Sequence, residues 1–265
     1  MTDHTCGKIV AAAAIAALAL VPVGAQAAQC GNSAGGFEAW KSEFAQEAKG
    51  RASAASLAAL ATTSYSTATI SADRGQRSFK LSLDQFLAKR GGPTIVARGR
   101  KLKVTNAALF DSIEQRYGVP PGPLLAIWGM ETGFGAVKGN VNTLSAVATL
   151  AYDCRRSEYF TDQLYAALKL VDSGVLNAST RGAAHGEVGH TQFLPKNVLQ
   201  YGTGGDLNNV GAALSSTANF LKGHGWRAGA GYQPGEPNFA AIQGWNAASV
   251  YQRAIATLGR QIDAP

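Results

Sequence analysis

The strongest constraint on the fold is the recurrence of apolar residues at helical spacing, set against a single short stretch that reads as strand. In "FEAWKSEFAQEAKG" (37–50), Phe37, Trp40 and Phe44 fall at i, i+3 and i+7, and Gly50 closes the segment. "VTNAALFDSIEQRYG" (104–118) aligns Leu109, Phe110, Ile113 and Tyr117, with Thr105 or Asn106 as the cap and Gly118 as the stop. "SEYFTDQLYAALKLVDSG" (157–174) does the same with Phe160, Leu164, Leu168 and Val171. Segments 208–225 and 247–259 are weaker versions of this pattern. Only "SYSTATISA" (64–72) looks strand-like, and one segment cannot make a sheet. "RAGAGYQPGEPNF" (227–239) is a Gly/Pro-rich loop with room for a short hairpin. No repeat and no long linker divides the chain. Its 265 residues, 46% hydrophobic, suit one core, and 31 glycines with only 15% charged residues suit a compact, loop-rich molecule. The expectation is a mainly α fold, with a short β segment at most.

The first residues stand apart. "MTDHTCGK" leads into "IVAAAAIAALALVPVG" and then "AQA", with small residues at Ala25 and Ala27. A charged start, an apolar middle and an A-x-A site describe a secretory signal over 1–27, cut after Ala27. A membrane anchor is the competing reading, but the run is short and Ala-rich for a span of about 20 residues. Gln29 before Cys30 also disfavours a lipoprotein site. The expected location is the periplasm, reached through the inner membrane, with no stable membrane insertion.

Export changes how the cysteines read. Cys6 leaves with the signal, so Cys30 and Cys154 remain, and an even pair in an oxidising compartment is most simply a disulfide. The rival, a Cys154 nucleophile paired with His185 or His190, lacks a local signature. The net charge of +7 fits either ordinary solubility or an anionic wall polymer. No Lys/Arg cluster interleaved with aromatics suggests nucleic acid.

One carboxylate has an unusual setting. In "GVPPGPLLAIWGMETGFG" (118–135), prolines suit a helix start, and Leu124, Ile127, Trp128 and Glu131 follow i, i+3, i+4 and i+7. Glu131 therefore lies on the apolar stripe, and Gly133 and Gly135 end the helix beside it. Such an acid pays desolvation, which raises its pKa. A raised carboxyl beside the Trp128 indole suits a general acid, the arrangement known from lysozyme. A structural Glu satisfied by a cap or ion pair has the same spacing, and the spacing does not separate the two.

The residues of "AIWGMETGFGA" resemble the catalytic helix of the lytic murein transglycosylases related to membrane-bound lytic transglycosylase B. The W-G-x-E-[ST]-x-[FY]-G motif corresponds to Trp128, Gly129, Glu131, Thr132, Phe134 and Gly135. The glycine-rich run into Q-F-x-P corresponds to "GEVGHTQFLP", with Gly186, Gly189, Gln192, Phe193 and Pro195. A third motif is altered here to "WNAASVY", with Trp245, Asn246 and Tyr251. Smaller echoes are "FEAWKSEF", "DRGQRSF" and "FLKGHGW", so the resemblance covers about residues 37–262.

The resemblance implies a lysozyme-like helical core with flanking N-terminal helices, forming one domain over 28–265 without a separate peptidoglycan-binding repeat. It implies cleavage of the β-1,4 bond between N-acetylmuramic acid and N-acetylglucosamine, leaving a 1,6-anhydro end. Glu131 would act first as acid and then as base, with no cofactor. The implied substrate contacts are Gln192 as a polar clamp and Phe193, Trp245 and Tyr251 as flat faces for sugar rings. Asn246 would either bond a substrate amide or hold its loop. The implied partner is the peptidoglycan strand, met by a monomer, alone or with other cell-wall enzymes. Departures from the family pattern are Ala183, Glu187, Phe220 and Trp245. The stretch "YGTGGDLNNVG" (201–211), with Asp206 its only acid, suits no calcium loop, so no metal is expected. Two alternatives remain: a hydrolytic muramidase of the same fold, with Glu187 holding the water, and, of a different class, a non-catalytic wall-binding protein.

Overall fold

The computed structural model describes residue 1, residues 28–75 and residues 80–265. The expected signal (1–27) and the end of the "DRGQRSF" echo thus lie outside the described residues, save Met1. Within them the chain forms thirteen α-helices: α1 (Phe37–Glu47), α2 (Ala54–Ala61), α3 (Thr67–Arg74), α4 (Leu83–Arg90), α5 (Gly92–Thr105), α6 (Ala107–Tyr117), α7 (Pro121–Thr132), α8 (Thr143–Tyr152), α9 (Ser157–Asp172), α10 (Pro195–Tyr201), α11 (Val210–Gly223), α12 (Phe239–Trp245) and α13 (Ser249–Asp263). Two short strands, β1 (Val141–Asn142) and β2 (Arg181–Gly182), pair antiparallel with Val141 opposite Gly182. No helix among the described residues is long and apolar enough to cross a membrane.

Two apolar clusters organise the helices. In the first, Phe37, Trp40 and Phe44 of α1 meet Leu60 of α2, Val147 and Tyr152 of α8, and Phe160 and Leu164 of α9. The second surrounds α7 with residues of α5, α6, α11, α12 and α13. Every residue from Gly122 to Met130 is buried. This corrects the expected stripe, because α7 is not amphipathic but apolar all round, as a helix threaded through a core must be. Its longest neighbour is α13, which runs antiparallel to it. Tyr251 lies beside Glu131 at one end, and Asp263 Oδ1 accepts from the Gly122 amide at the other, 2.7 Å away.

Segment 64–72 is also corrected, because it belongs mainly to α3 and not to a strand. Ser66 caps that helix by accepting from Thr69 N, which outweighs the β-branched residues that follow. Loop 227–239 carries no strand and instead turns into α12, with Asn238 bonded to Arg227 and Ala230. Cys30 and Cys154 form a disulfide. Beside it, Gly31 N donates to Tyr152 O and Cys154 N to Gly31 O. A side chain at Gly31 would collide with the Tyr152 ring, so only glycine lets the chain lie there.

Candidate active site

The last turn of α7 places one carboxyl at the edge of the second core. Gly133 caps the helix in the left-handed region, and Phe134 and Gly135 follow with φ of 60° and 85°. Thr132 pins this turn: its hydroxyl donates to His190 O at 2.7 Å and accepts from Gly135 N at 2.9 Å. Glu131 is part-buried and faces a groove of about 730 Å³. That groove lies between α9–α10 on one side and α11–α12 on the other, and its walls include Tyr159, Gln163, Tyr201, His224 and Trp245.

Both hydrogen bonds that the structure gives the Glu131 carboxyl fall on the same oxygen. Tyr251 Oη donates to Oε1 at 2.8 Å, and Trp245 Nε1 donates to Oε1 at 3.1 Å. Burial pushes the Glu131 pKa up to about 7, and it outweighs these two donors, which favour the charged form. The nearby Glu187 carboxylate adds to the rise, while Arg90 opposes it. Tyr251, 3% exposed, is itself held well above the usual phenol range by burial and by Glu131, so it serves as a donor.

The indole at the carboxyl is thus Trp245, not Trp128 as the helical spacing suggests. Trp128 Nε1 donates instead to His190 Nδ1 at 3.0 Å, and its ring packs edge-on against Phe134. With Nδ1 accepting, His190 Nε2 carries the proton and donates to Asn208 O at 2.9 Å. Burial lowers the His190 pKa and keeps the ring neutral. His190 is a structural strut, and Cys154 is in a disulfide, so neither forms a thiol–imidazole pair.

The other expected contacts divide between groove and scaffold. Gln192 lines the groove, yet its Nε2 donates to Gly189 O at 2.8 Å and to Lys138 O at 3.4 Å. Only its Oε1 is left for a ligand, and its φ is 57°. Phe193 is 1% exposed behind Trp245 (ring centroids 5.4 Å apart) and Phe220 (6.1 Å), so it backs the wall and offers no stacking face. The same burial denies Tyr251 a stacking face; it touches the acid through its hydroxyl. Asn246 lines the groove and also holds the loop that starts α13, where its Oδ1 accepts from Ala248 N and its carbonyl from Gln252 Nε2. Trp245 is the part-exposed ring among these, joined by Tyr201 and His224, which periodicity could not single out.

Glu187 also lines the groove, and both of its oxygens face His185: Oε1 is 3.2 Å from Nδ1, and Oε2 accepts from the His185 amide at 2.9 Å. The far side of that ring lies 3.7 Å from Asp73, which Arg155 and Arg156 also bind. In loop 201–211, Asp206 Oδ1 accepts from the backbone and side chain of Asn208, and Leu207 and Asn208 lend their carbonyls to His190. No group of three His, Cys, Asp or Glu that could hold a metal occurs among the described residues.

A family model described as the transglycosylase SLT domain matches residues 36–235. The chain belongs to this family. Membrane-bound lytic murein transglycosylase B of Escherichia coli (strain K12) is 36% identical to this member of the transglycosylase SLT family. The match covers 47% of this chain and 38% of that protein, so the chain spans well under half of the curated relative. The crystal structure of SltB3 from Pseudomonas aeruginosa in complex with NAG-NAM-pentapeptide superposes with a TM-score of 0.78. It is 28% identical, covering 86% of this chain and 80% of that one. The Escherichia coli lytic transglycosylase Slt35 in complex with calcium has a TM-score of 0.70 at 22% identity, over 91% and 98% of the two chains. That likeness extends the shared lysozyme-like helical fold of the transglycosylase SLT family to nearly the whole described chain.

Proposed function

We propose that the protein is a peptidoglycan lytic transglycosylase, with Glu131 as its one catalytic carboxyl. The observation that carries this reading is the pinning of Oε1 by Tyr251 and Trp245, on an acid whose pKa is about 7. With Oε1 committed to accepting, the proton of the neutral acid sits on Oε2. Such a group gives its proton to the glycosidic oxygen and, once ionised, accepts one. The N-acetyl group of the muramic residue stabilises the cation as the bond to N-acetylglucosamine breaks. Glu131 then takes the proton from the C6 hydroxyl, whose oxygen closes the 1,6-anhydro ring. The proton lent in the first step returns in the second, and no water is consumed.

The solved relative named for its NAG-NAM-pentapeptide complex supports peptidoglycan as substrate. Trp245, Tyr201 and His224 supply ring faces in the groove, and Gln192 Oε1 supplies a polar contact. The signal-like residues 1–27 and the Cys30–Cys154 bond support export to the periplasm. A hydrolytic muramidase needs a second carboxylate to hold water. Glu187 is the other acid among the described lining residues, and His185 engages both its oxygens.

The test is the product. Purified sacculi digested with the parent protein should release muropeptides with 1,6-anhydro ends, lighter by one water than hydrolytic products in mass spectrometry. Glu131→Gln should bind sacculi and release almost nothing. Reducing ends alone would make the protein a hydrolase, and an active Glu131→Gln would remove the acid from its role.

A further inference from the structure

The net charge is not spread evenly over the molecule. From residue 80 to residue 110 there are seven cations, Lys80 to Lys103, and one acid, Asp84. This stretch, mostly α4 and α5, therefore holds six of the chain's seven net positive charges.

Helix capping explains part of it. Arg90 donates to Met130 O and Arg98 to Gly133 O, at the C-terminal end of α7. Arg100 donates to Gln261 O, and Lys103 to the carbonyls of Ile262 and Asp263, at the end of α13. A helix C-terminus carries about half a negative charge, so two such ends leave most of the positive charge uncompensated. Lys80, Lys89 and Lys101 are exposed and have no ion pair among the described residues.

The exposed face of α5 adds an apolar component. Its inner side buries Gly92, Ile95 and Gly99, while Arg98, Lys101 and Val104 follow one another along the outer side. Val104 is 73% exposed. Arg98 reaches the turn after α7, with its guanidinium 5.1 Å from the Phe134 ring. That turn carries Lys138 and Val137, also 73% exposed. One exposed aliphatic side chain thus follows the cations near the end of α5, and another lies in the turn that Arg98 reaches. Single exposed apolar residues are ordinary, but here they stand among uncompensated cations. Headgroup attraction plus shallow aliphatic insertion is how a protein surface settles on an anionic bilayer. A soluble polyanion would use the cations and leave the valines idle. A nucleic acid would call for stacking rings, and residues 87–109 contain no Phe, Trp or Tyr.

We propose that the α4–α5 face is a docking surface for an anionic phospholipid bilayer. The full chain should co-sediment with vesicles of phosphatidylcholine and phosphatidylglycerol more strongly than with phosphatidylcholine alone, and added salt should reverse the difference. The double variant Lys89→Gln/Lys101→Gln should bind the anionic vesicles about 25-fold more weakly, about fivefold for each cation lost. Val104→Ser should weaken binding further, through lost insertion. Activity on soluble glycan fragments and the melting temperature should match the parent in both variants, which separates docking from catalysis and from folding. Equal binding to neutral and anionic vesicles would overturn the proposal, as would undiminished binding by the double variant. Loss of sacculus binding by the double variant, with no vesicle binding by the parent, would assign the face to a wall polymer instead.

Discussion

At the scale of single residues, the Glu131 carboxyl governs both pH behaviour and stability. Its pKa in the fold is about 7, against 4.5 in an exposed chain. Between those values the folded protein holds a proton that the unfolded chain has released, so stability falls as pH climbs through that window. The full contribution is present below about pH 4.5, and about 3 kcal/mol at most is lost by the time pH passes 7. Glu131→Gln removes the titration. The variant should melt close to the parent at pH 5 and clearly above it at pH 8, and calorimetry at the two pH values checks this. Tyr251→Phe takes away a donor that favours the ionised form. The pH at which activity declines on the alkaline side should then move up by roughly one unit, and a pH–rate profile that stays in place would deny Tyr251 any hold on the acid. The acid itself was legible in the sequence, as one charge in an apolar run. Its partners were not, because Trp245 and Tyr251 lie 114 and 120 residues away and spacing within a helix says nothing about such contacts. That is why Trp128 looked like the neighbouring indole.

At the scale of elements, the turns that frame the groove are held by side chains that read as substrate contacts in the sequence. The Gln192 amide ties two loops through Gly189 O and Lys138 O. Gln192→Ala should therefore lower activity and also cost about 1–2 kcal/mol of stability from the lost bonds. Urea titration beside the rate measurement checks this; a slower enzyme of unchanged stability would return Gln192 to a direct role on the sugar. The disulfide joins the N-terminal segment to the end of α8 across a sequence separation of 124. Cys30→Ser with Cys154→Ser should cost about 2–5 kcal/mol on the chain-entropy account, seen as a lower urea midpoint. A reductant should lower the midpoint of the parent and leave that of the variant alone. Helices with a clear apolar stripe, such as α1, α6 and α9, could be read from their periodicity. Helices α2 and α8 could not, because their Ala, Ser and Thr residues show no contrast between faces. Helix α3 misled through its Thr and Ile, since a cap is a stronger local instruction than β propensity.

At the scale of the whole molecule, the groove is bounded by elements from distant parts of the chain that are locked to one another by direct hydrogen bonds. Loop 201–211 reaches α7 through His190 and Trp128, with backbone carbonyls doing the tying. The loop is expected to keep its shape without a metal. Exhaustive treatment with EDTA should leave activity and melting temperature unchanged, and a loss of both that calcium restores would reveal a site in this loop. The mainly helical architecture was legible as a whole because it is the sum of many local patterns. The groove was not, since it exists only where α9–α10 come to face α11–α12.

The antiparallel contact of α7 with α13 also bears on when, on the proposed function, the chain could begin to cut glycan. During synthesis, Glu131 is made more than a hundred residues before Trp245 and Tyr251. Until α13 docks, one flank of an entirely apolar helix lies open, and the carboxyl lacks both the enclosure and the donors that hold its proton in place. An emerging chain carries an ordinary glutamate there, ionised at neutral pH and poor at protonating a glycosidic oxygen. On the proposed function, glycan cleavage would thereby be coupled to completion of the fold: the same late helix that seals the core would also arm the acid.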